Sequence, residues 1–410
     1  MGIIKKAIAV SCAAAGLFSM TACGKESKKT NEKVVLNVWK MEDEAFLQKM
    51  ADEFVEHYKN EADIEVILGN KPEHSMTEYI QENPDDSADV LYFADDQLDQ
   101  LYNAGYLLPM TENKDQIIAD NGGRYTDIIS CVSRELKLYA CPITAGNGYF
   151  LYYNAKYLNE EDVKTLDGIL EVAEKNNKYF AMDWSSGWYT YSFFGGAGLK
   201  AEANPGGTFN FCDWNATDPE YQYKGIDVAE AMLDISKSKG FKNIDSFIDG
   251  ATDDSIIAFV SGQWDAESLS AVWGDDMRAT KLPTYTVAGD QVQMSGFMGY
   301  KYVGVYANTK YPEWAVKFAE WVSNYDNQVA RFEVTGECPS NVEAKKAESV
   351  QASPAVVALG EQAEFSVRQK LTDAYWTPTS VLGSILAAGN PDNRDLQKLL
   401  DETVEQITVK

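Results

Sequence analysis

Histidine is scarce in this sequence: only His57 and His74 occur among 410 residues. Neither has a second histidine at the spacing that metal ligation requires. Also absent are the Gly-x-Ser-x-Gly elbow of serine hydrolases and the Gly-x-x-x-x-Gly-Lys-[Ser/Thr] loop that cradles phosphates. Paired acidic residues do occur, but a chain with 63 Asp and Glu forms such pairs by chance. We therefore expect no enzymatic activity, no cofactor and no metal site.

Basic residues are in deficit. The 36 Lys and Arg are outnumbered by the 63 Asp and Glu, which gives a formal net charge of −27. Such a surface repels nucleic acid and anionic lipid headgroups. Nucleic acid is thus excluded as the expected partner, whereas a cationic solute such as a polyamine stays possible.

A long hydrophobic run is missing everywhere except near the N-terminus. There Lys5 and Lys6 precede an apolar segment, 7–20, which is followed by Met20-Thr21-Ala22-Cys23. A positive start, a short apolar core and small residues at a cleavage point are typical of a secretory signal. The segment resembles a bacterial lipobox, which implies acylation of Cys23. We predict a lipoprotein signal peptide over 1–22 and a polar tether over 23–33.

Few cysteines remain beyond Cys23. They are Cys131, Cys141, Cys212 and Cys338, for which three pairings are possible. Outside the cytoplasm a disulfide can persist. Two alternatives are left open. Cys131 and Cys141, which flank a possible hairpin, form a disulfide, or the four cysteines are free buried thiols.

Hydrophobic periodicity predicts strands that alternate with helices. The predicted strands cover 34–39, 63–68, 88–93, 136–143, 149–154, 179–182 and 264–270. The predicted helices cover 44–58, 96–106, 166–176, 225–239, 255–261, 312–325, 361–371 and 395–408. The stretch 201–223, rich in Asn, Gly, Pro and Asp, indicates a surface loop. The alternation favours an α/β fold with mostly parallel sheets covered by helices.

Aromatic residues are the marked surplus, with nine Trp, 23 Tyr and 17 Phe. Trp188, Trp273 and Trp376 lie in segments between predicted elements, near acidic residues. An aromatic plate covers the apolar face of a sugar ring, and neighbouring carboxylates accept hydrogen bonds from its hydroxyls. The pattern therefore favours a carbohydrate ligand, whereas Trp314 and Trp321, at helical spacing, are predicted to be core residues.

Five segments in order resemble the extracellular solute-binding proteins of sugar ABC importers, and in particular the maltodextrin-binding branch. They are the opening strand with Met41-Glu42-Asp43-Glu44, the stretches 88–109, 138–143 and 151–154, and the stretch 259–273. The resemblance implies a two-lobed fold of the periplasmic-binding-protein type with the ligand in the cleft between the lobes. It places the N-lobe at 34–144 and 303–345 and the C-lobe at 145–302 and 349–410.

The resemblance also implies a set of ligand-binding residues. They are Asp43, Phe93, Asp96, Trp188, Trp273 and Trp376. Gln97, Gly146 and Ser186 stand where the maltodextrin branch has an arginine and two glutamates, which puts maltodextrin itself in doubt. Each aromatic residue of the set has a core position as its alternative, and Asp43 and Asp96 have helix capping as theirs.

These observations predict a monomeric, lipid-anchored binding protein on the extracytoplasmic face of the cell membrane. It is expected to capture an oligosaccharide and to deliver it to ABC permease and ATPase subunits. The alternatives are a binding protein for a polyamine or peptide and an extracellular glycan-degrading enzyme. The identity, linkage and length of the sugar do not follow from the sequence.

Overall fold

The computed structural model describes residues 33–40, 44–71, 76–82 and 88–409. Its strands, in chain order, are β1 (Lys33–Lys40), β2 (Asp63–Asn70), β3 (Val90–Ala94), β4 (Ser133–Arg134), β5 (Lys137–Leu138), β6 (Ala140–Ala145), β7 (Tyr149–Asn154), β8 (Tyr179–Ala181), β9 (Ala201–Ala203), β10 (Asn210–Cys212), β11 (Phe241–Lys242), β12 (Ile256–Gly262), β13 (Met277–Thr280), β14 (Thr284–Val287), β15 (Asp290–Gln293), β16 (Gly296–Met298), β17 (Tyr300–Val305) and β18 (Ser366–Arg368).

Helices connect and cover these strands. They are α1 (Glu44–Tyr58), α2 (Met76–Glu82), α3 (Leu98–Asn103), α4 (Lys114–Asp120), α5 (Asp127–Cys131), α6 (Leu166–Asn176), α7 (Gly187–Gly196), α8 (Gly225–Ser236), α9 (Phe247–Thr252), α10 (Ala266–Trp273), α11 (Pro312–Val322), α12 (Tyr325–Thr335), α13 (Glu348–Gln351), α14 (Pro354–Ala363), α15 (Trp376–Ala387) and α16 (Leu396–Ile407). The predicted bounds of α1 and α6 are confirmed to the residue.

Two five-stranded sheets organise the molecule, in the orders β2-β1-β3-β17-β6 and β11-β8-β12-β7-β13. In each sheet four strands run in one direction and the fifth, β17 or β7, runs against them. Each sheet has its own hydrophobic core, and the second sheet has a further cluster on its other face. The expected α/β class with mostly parallel sheets is confirmed.

The chain passes between the two sheets at short connections. β6 of the first sheet ends at Ala145 and β7 of the second begins at Tyr149, while β17 returns the chain to the first sheet at Tyr300. Both connections lie at the same edge of each sheet, because β7 and β17 are the inverted strands. Close packing is required here: a Cβ atom on Gly148 would lie 3.0 Å from the Phe297 carbonyl oxygen.

Three secondary-structure predictions are wrong. The stretch 255–261 is strand β12, and the stretch 264–270 begins in a 3-10 turn and continues as α10. The predicted helix over 361–371 is instead the end of α14 and strand β18. The apolar run of β12 is buried on both faces and pairs with β7 and β8, so period alone could not separate it from a buried helix.

The predicted loop at 201–223 is also more ordered than expected. It contains the β9–β10 hairpin, and Trp214 within it is fully buried and stacks on Phe194 at a centroid distance of 4.1 Å. The cysteine question is settled as well: Cys131, Cys141, Cys212 and Cys338 are free and buried.

Candidate functional site

The carboxyl ends of parallel strands from both sheets lie at the junction of the two lobes. β3 ends at Ala94, and the residues after it contact the segment after β18. β12 ends at Gly262, and Gln263 accepts a hydrogen bond from the Cys338 backbone N–H at 2.8 Å. In open α/β sheets, ligands bind outside the carboxyl ends of the strands. This edge, where the two sheets meet, is therefore the candidate site.

Trp188 and Trp376 are brought together at this edge although 187 residues separate them in the chain. Both side chains are partly exposed, and both pack on Phe297, with ring centroids 5.5 and 6.5 Å away. Trp188 opens α7 and is 5.4 Å from Tyr149, whose hydroxyl donates to the Trp188 carbonyl at 2.8 Å. Trp188 and Trp376 are thus the partly exposed rings of a four-ring cluster, the platform, in which Phe297 and Tyr149 are only 1% and 0% exposed.

A glycine makes this arrangement possible. A Cβ atom on Gly187 would lie 2.0 Å from the Thr379 hydroxyl oxygen of α15. The first turn of α7 can therefore approach α15 closely, so that Trp188 and Trp376 both pack on Phe297.

Trp273 does not lie with this platform. It is only 7% exposed and belongs to the cluster on the other face of the second sheet, 5.8 Å from Phe259. Phe93 is fully buried as well, in the core of the first lobe, 6.1 Å from Tyr302. Trp273 and Phe93 are therefore core residues in this structure, which is the alternative that the sequence left open for each. β3 is buried along its whole length, which explains why Phe93 has no exposed face.

Trp264 is an aromatic residue that the sequence interpretation missed. It is 39% exposed and follows directly on the carboxyl end of β12. Its ring lies against Gly262, where a Cβ atom would be 2.1 Å from the Trp264 Cζ3 atom. The sequence feature that could have identified Trp264 is its position two residues after a strand that ends in glycine. The prediction of a helix over 255–261 hides this feature.

Two carboxylates lie beside the aromatic residues. Asp183 follows β8 and accepts from the Ser185 backbone N–H at 2.9 Å, and Asp265 follows Trp264 and accepts from the Ser261 hydroxyl at 2.5 Å. Burial raises the pKa of both carboxyl groups, and both act electrostatically on Tyr189. Partly desolvated carboxylates of this kind can accept strong hydrogen bonds from hydroxyl groups.

Asp96 lies at the carboxyl end of β3 in a 3-10 turn that has no side-chain cap hydrogen bond. Its Oδ2 atom accepts from the Gln369 side-chain amide at 2.6 Å, so the residue faces the other lobe. Burial, together with the adjacent Asp95, raises the pKa of Asp96 well above its ordinary value. Asp43, the remaining predicted site residue, lies outside the described residues.

Residues 49–358 match the family of bacterial extracellular solute-binding proteins. The chain belongs to this family. It is 26% identical to the galactooligosaccharide-binding protein of Bacillus subtilis over 435 aligned positions, which cover 99% of this chain and 98% of the relative. It is 24% identical to the maltodextrin-binding protein MdxE of the same organism, with 89% and 87% covered.

Solved structures share the two-lobed fold. A structure with acarbose matches with a TM-score of 0.79 at 24% identity, over 92% of this chain and 99% of that one. The maltotriose-binding protein of Thermus thermophilus, bound with maltotriose, matches with a TM-score of 0.73 at 18% identity, over 91% and 98%. The predicted family and fold of this solute-binding protein are thereby confirmed.

The described residues of this solute-binding protein contain no group of three or more His, Cys, Asp or Glu that could hold a metal ion. Within the same ranges, no helix has the length and apolar character needed to cross a membrane. His57, which lies on α1, packs against Tyr58 and Trp321 at 4.6 and 5.1 Å, as a structural residue does.

Proposed function

We propose that this protein captures an oligosaccharide in the cleft between its lobes and delivers it to an ABC importer. The observation that carries the proposal is the pair of partly exposed rings Trp188 and Trp376 at the lobe junction, which pack on the buried Phe297. Trp264 adds a separate exposed ring at a neighbouring strand end. Several aromatic surfaces beside carboxylates suit a chain of sugar units better than a single small polar solute.

The ligands of the relatives support the same chemistry. The two Bacillus subtilis proteins are named for galactooligosaccharide and maltodextrin. Both names denote neutral sugar oligomers, which differ in the sugar unit and its linkage. We propose a ligand of this class, bound without chemical change, so that the protein acts as a receptor and not as an enzyme.

The charges at the lobe junction disfavour the polyamine alternative. Asp95 is paired with Arg368, and the buried Glu337 is paired with Lys301 at 2.7 Å. Carboxylates that already have a cationic partner offer little to an added ammonium group. At these two carboxylates a neutral ligand with hydroxyl groups fits better than a polyamine, whereas Asp96, Asp183 and Asp265 accept their hydrogen bonds from uncharged donors.

We propose the lobe boundaries 34–144 and 303–345 for the N-lobe, and 145–302 and 349–410 for the C-lobe. The assignment of β1, β3 and β6 to one sheet and of β7, β8 and β12 to the other supports them. β17 starts at Tyr300, three residues before the proposed return to the N-lobe at 303.

We further propose that the mature protein is monomeric, anchored through acylated Cys23 on the extracytoplasmic face of the membrane, and that permease and ATPase subunits receive the closed, loaded form. Cys23 and the tether 23–33 lie outside the described residues, except for Lys33. The family is extracellular, which supports the location. More than one acyl chain would hold the protein stably at the membrane.

Substitution of the predicted lipidation site tests the anchor. Cys23→Ser is expected to move the protein from the membrane fraction to the soluble fraction, with unchanged affinity for sugar, because the acyl chains act through the tether and not through the fold. Fractionation followed by immunoblotting measures the distribution. Cys12→Ser is the matched control and should stay in the membrane fraction. A Cys23→Ser protein that remains in that fraction would refute the anchor.

Calorimetry against maltooligosaccharides, galactooligosaccharides, a polyamine and a short peptide tests the ligand class. Trp376→Ala and Trp188→Ala are each expected to weaken sugar binding by about 1.5–3 kcal/mol, or roughly tenfold to a hundredfold in Kd, because stacking removes apolar area from water. Trp314→Ala on α11, where the ring packs against Tyr58 in the first lobe, is the control and should leave Kd unchanged. Tight binding of the polyamine or peptide instead of any sugar would overturn the proposal.

A further inference from the structure

Side chains from the two lobes meet directly beside the aromatic platform. The Arg368 guanidinium lies 3.2 Å from the Asp95 carboxylate, and the Gln369 amide donates to Asp96 at 2.6 Å. We call these four residues the clasp. Both first-lobe members follow β3, and both second-lobe members lie at the end of β18, which pairs with β16 next to the platform residue Phe297.

The first-lobe side of the clasp is buried, and its second-lobe side is partly exposed to solvent. The Asp95 side chain has no exposed surface, whereas that of Arg368 is 39% exposed. A Cβ atom on Gly299 would lie 2.8 Å from an Asp95 carboxylate oxygen, so this connection between the lobes closes tightly over the acid. Separation of the lobes would withdraw Arg368 and Gln369 from the two carboxylates, whereas Tyr302 and Cys131 of the first lobe would stay against Asp95.

Weaker contacts extend the clasp along the same line. The Gln97 amide donates to Asp373 at 3.5 Å, and the Lys370 ammonium lies 4.0 Å from Asp99. The loop after β9 also touches the first lobe, where the Asn103 amide donates to the Gly206 carbonyl at 3.3 Å. These contacts and the clasp together line the interface between the lobes, and the clasp is the buried part of that interface.

We infer that Arg368 and Gln369 are positioning residues for ligand capture, which hold the lobes closed through Asp95 and Asp96 without themselves binding sugar. The inference rests on the proposed capture between the lobes and deepens it. The apparent affinity of a protein for its ligand falls in proportion to the fraction of molecules in the binding-competent state. Loss of the clasp therefore weakens ligand binding from a distance.

Charge at Asp95 gives the clasp a recognisable pH dependence. Burial raises the pKa of Asp95 to about 7 although Arg368 opposes the shift. The groups that face it are Arg368, Asp96, Tyr300, Tyr302 and Cys131. Burial raises the pKa of the two tyrosines and of the cysteine, which therefore stay neutral from pH 5 to 8.

In this closed arrangement Asp95 is protonated well below pH 7 and ionised well above it. Arg368 matters most when Asp95 is ionised, because it is the cation that compensates the buried charge. At pH 5, where Asp95 is protonated, the same arginine contributes little. Burial raises the pKa of Asp96, with smaller contributions from Asp95 and Asp373, and the Gln369 amide donates to this carboxyl group.

The test measures the distance between the lobes in the mature chain without added sugar. Spin labels on Glu56→Cys in α1 and Glu230→Cys in α8, both at exposed positions, report open and closed populations by pulsed electron paramagnetic resonance. Arg368→Ala is expected to raise the open-to-closed ratio about tenfold at pH 8, as the loss of a charge-assisted hydrogen bond implies, and to change it little at pH 5.

Arg394→Ala is the matched control. Arg394 is 36% exposed and paired with Glu402 within the second lobe, so its loss should leave the ratio unchanged at both pH values. In the Asp95→Asn background, Arg368→Ala should have a much smaller effect at pH 8. Gln369→Ala should open the lobes at both pH values. Equal effects of Arg368→Ala at pH 5 and pH 8, persistence of the pH 8 effect in Asp95→Asn, or a shift in Arg394→Ala would each overturn the inference.

Calorimetry with maltotriose and a galactooligosaccharide separates this inference from the proposed function. If the lobe populations respond as expected and neither sugar binds, the ligand class is wrong and the clasp stands. If a sugar binds and Arg368→Ala changes neither the lobe populations nor Kd at pH 8, the clasp is wrong and the ligand class stands.

Discussion

Trp273→Ala is expected to lower the free energy of unfolding by about 3–5 kcal/mol, the usual cost of emptying a buried tryptophan site. Trp273 is only 7% exposed and packs against Phe259 in the cluster between the second sheet and α14. Thermal and denaturant unfolding measure the loss. The surviving folded protein should bind sugar with the Kd of the parent, since the ring lies in that cluster and not in the platform.

Trp264→Ala is the variant to compare with Trp273→Ala. Trp264 is nine residues earlier and 39% exposed, so its removal should leave stability nearly unchanged and weaken sugar binding by about 1–3 kcal/mol. The two substitutions remove the same side chain from neighbouring positions and are expected to affect different properties. The interpretation fails if Trp273→Ala abolishes binding in a protein of normal stability, or if Trp264→Ala unfolds the protein and spares binding.

Asp95→Asn is expected to become progressively more stabilising as pH rises from 4 to 8. The folded-state pKa of about 7 lies above the ordinary value of 3.8 because the carboxyl group is buried. Below pH 4 both the folded and unfolded forms carry the proton, and no pH dependence arises. Between 4 and 7 the unfolded chain releases a proton that the folded protein retains, so the parent loses stability as pH rises, by up to about 4 kcal/mol in total.

The asparagine side chain cannot ionise, so Asp95→Asn does not lose stability as pH rises in this way. Thermal unfolding of parent and variant at several pH values gives the difference, which should be smallest near pH 4 and largest at pH 8. Asp115→Asn, at a side chain that is 89% exposed, is the matched control and should show a far smaller trend. A difference between parent and Asp95→Asn that stays constant with pH would show that the carboxyl group is ionised throughout the folded range.

Part of the candidate site could be predicted from the sequence. Trp188 and Trp376 were identified from loop aromatics near acids, and they do meet, on Phe297. Asp96 was predicted at the start of a helix over 96–106; it lies in a 3-10 turn after β3 and faces the other lobe. Trp264 was missed because a short apolar run has no period that separates a doubly buried strand from a helix. With 255–261 predicted as a helix and 264–270 as a strand, the predicted strand end moved from Gly262 to Ser270.

The sequence by itself determined the class of the protein. The α/β alternation and the bounds of α1 and α6 follow from local periodicity and composition, which do not depend on distant contacts. The tertiary structure alone decided which aromatic residues are buried and which carboxylates are paired. Asp95 and Arg368 are 273 residues apart, and so are Asp96 and Gln369. Burial and charge pairing are properties of the folded surface, so only the packing of the two lobes could separate platform, core and clasp.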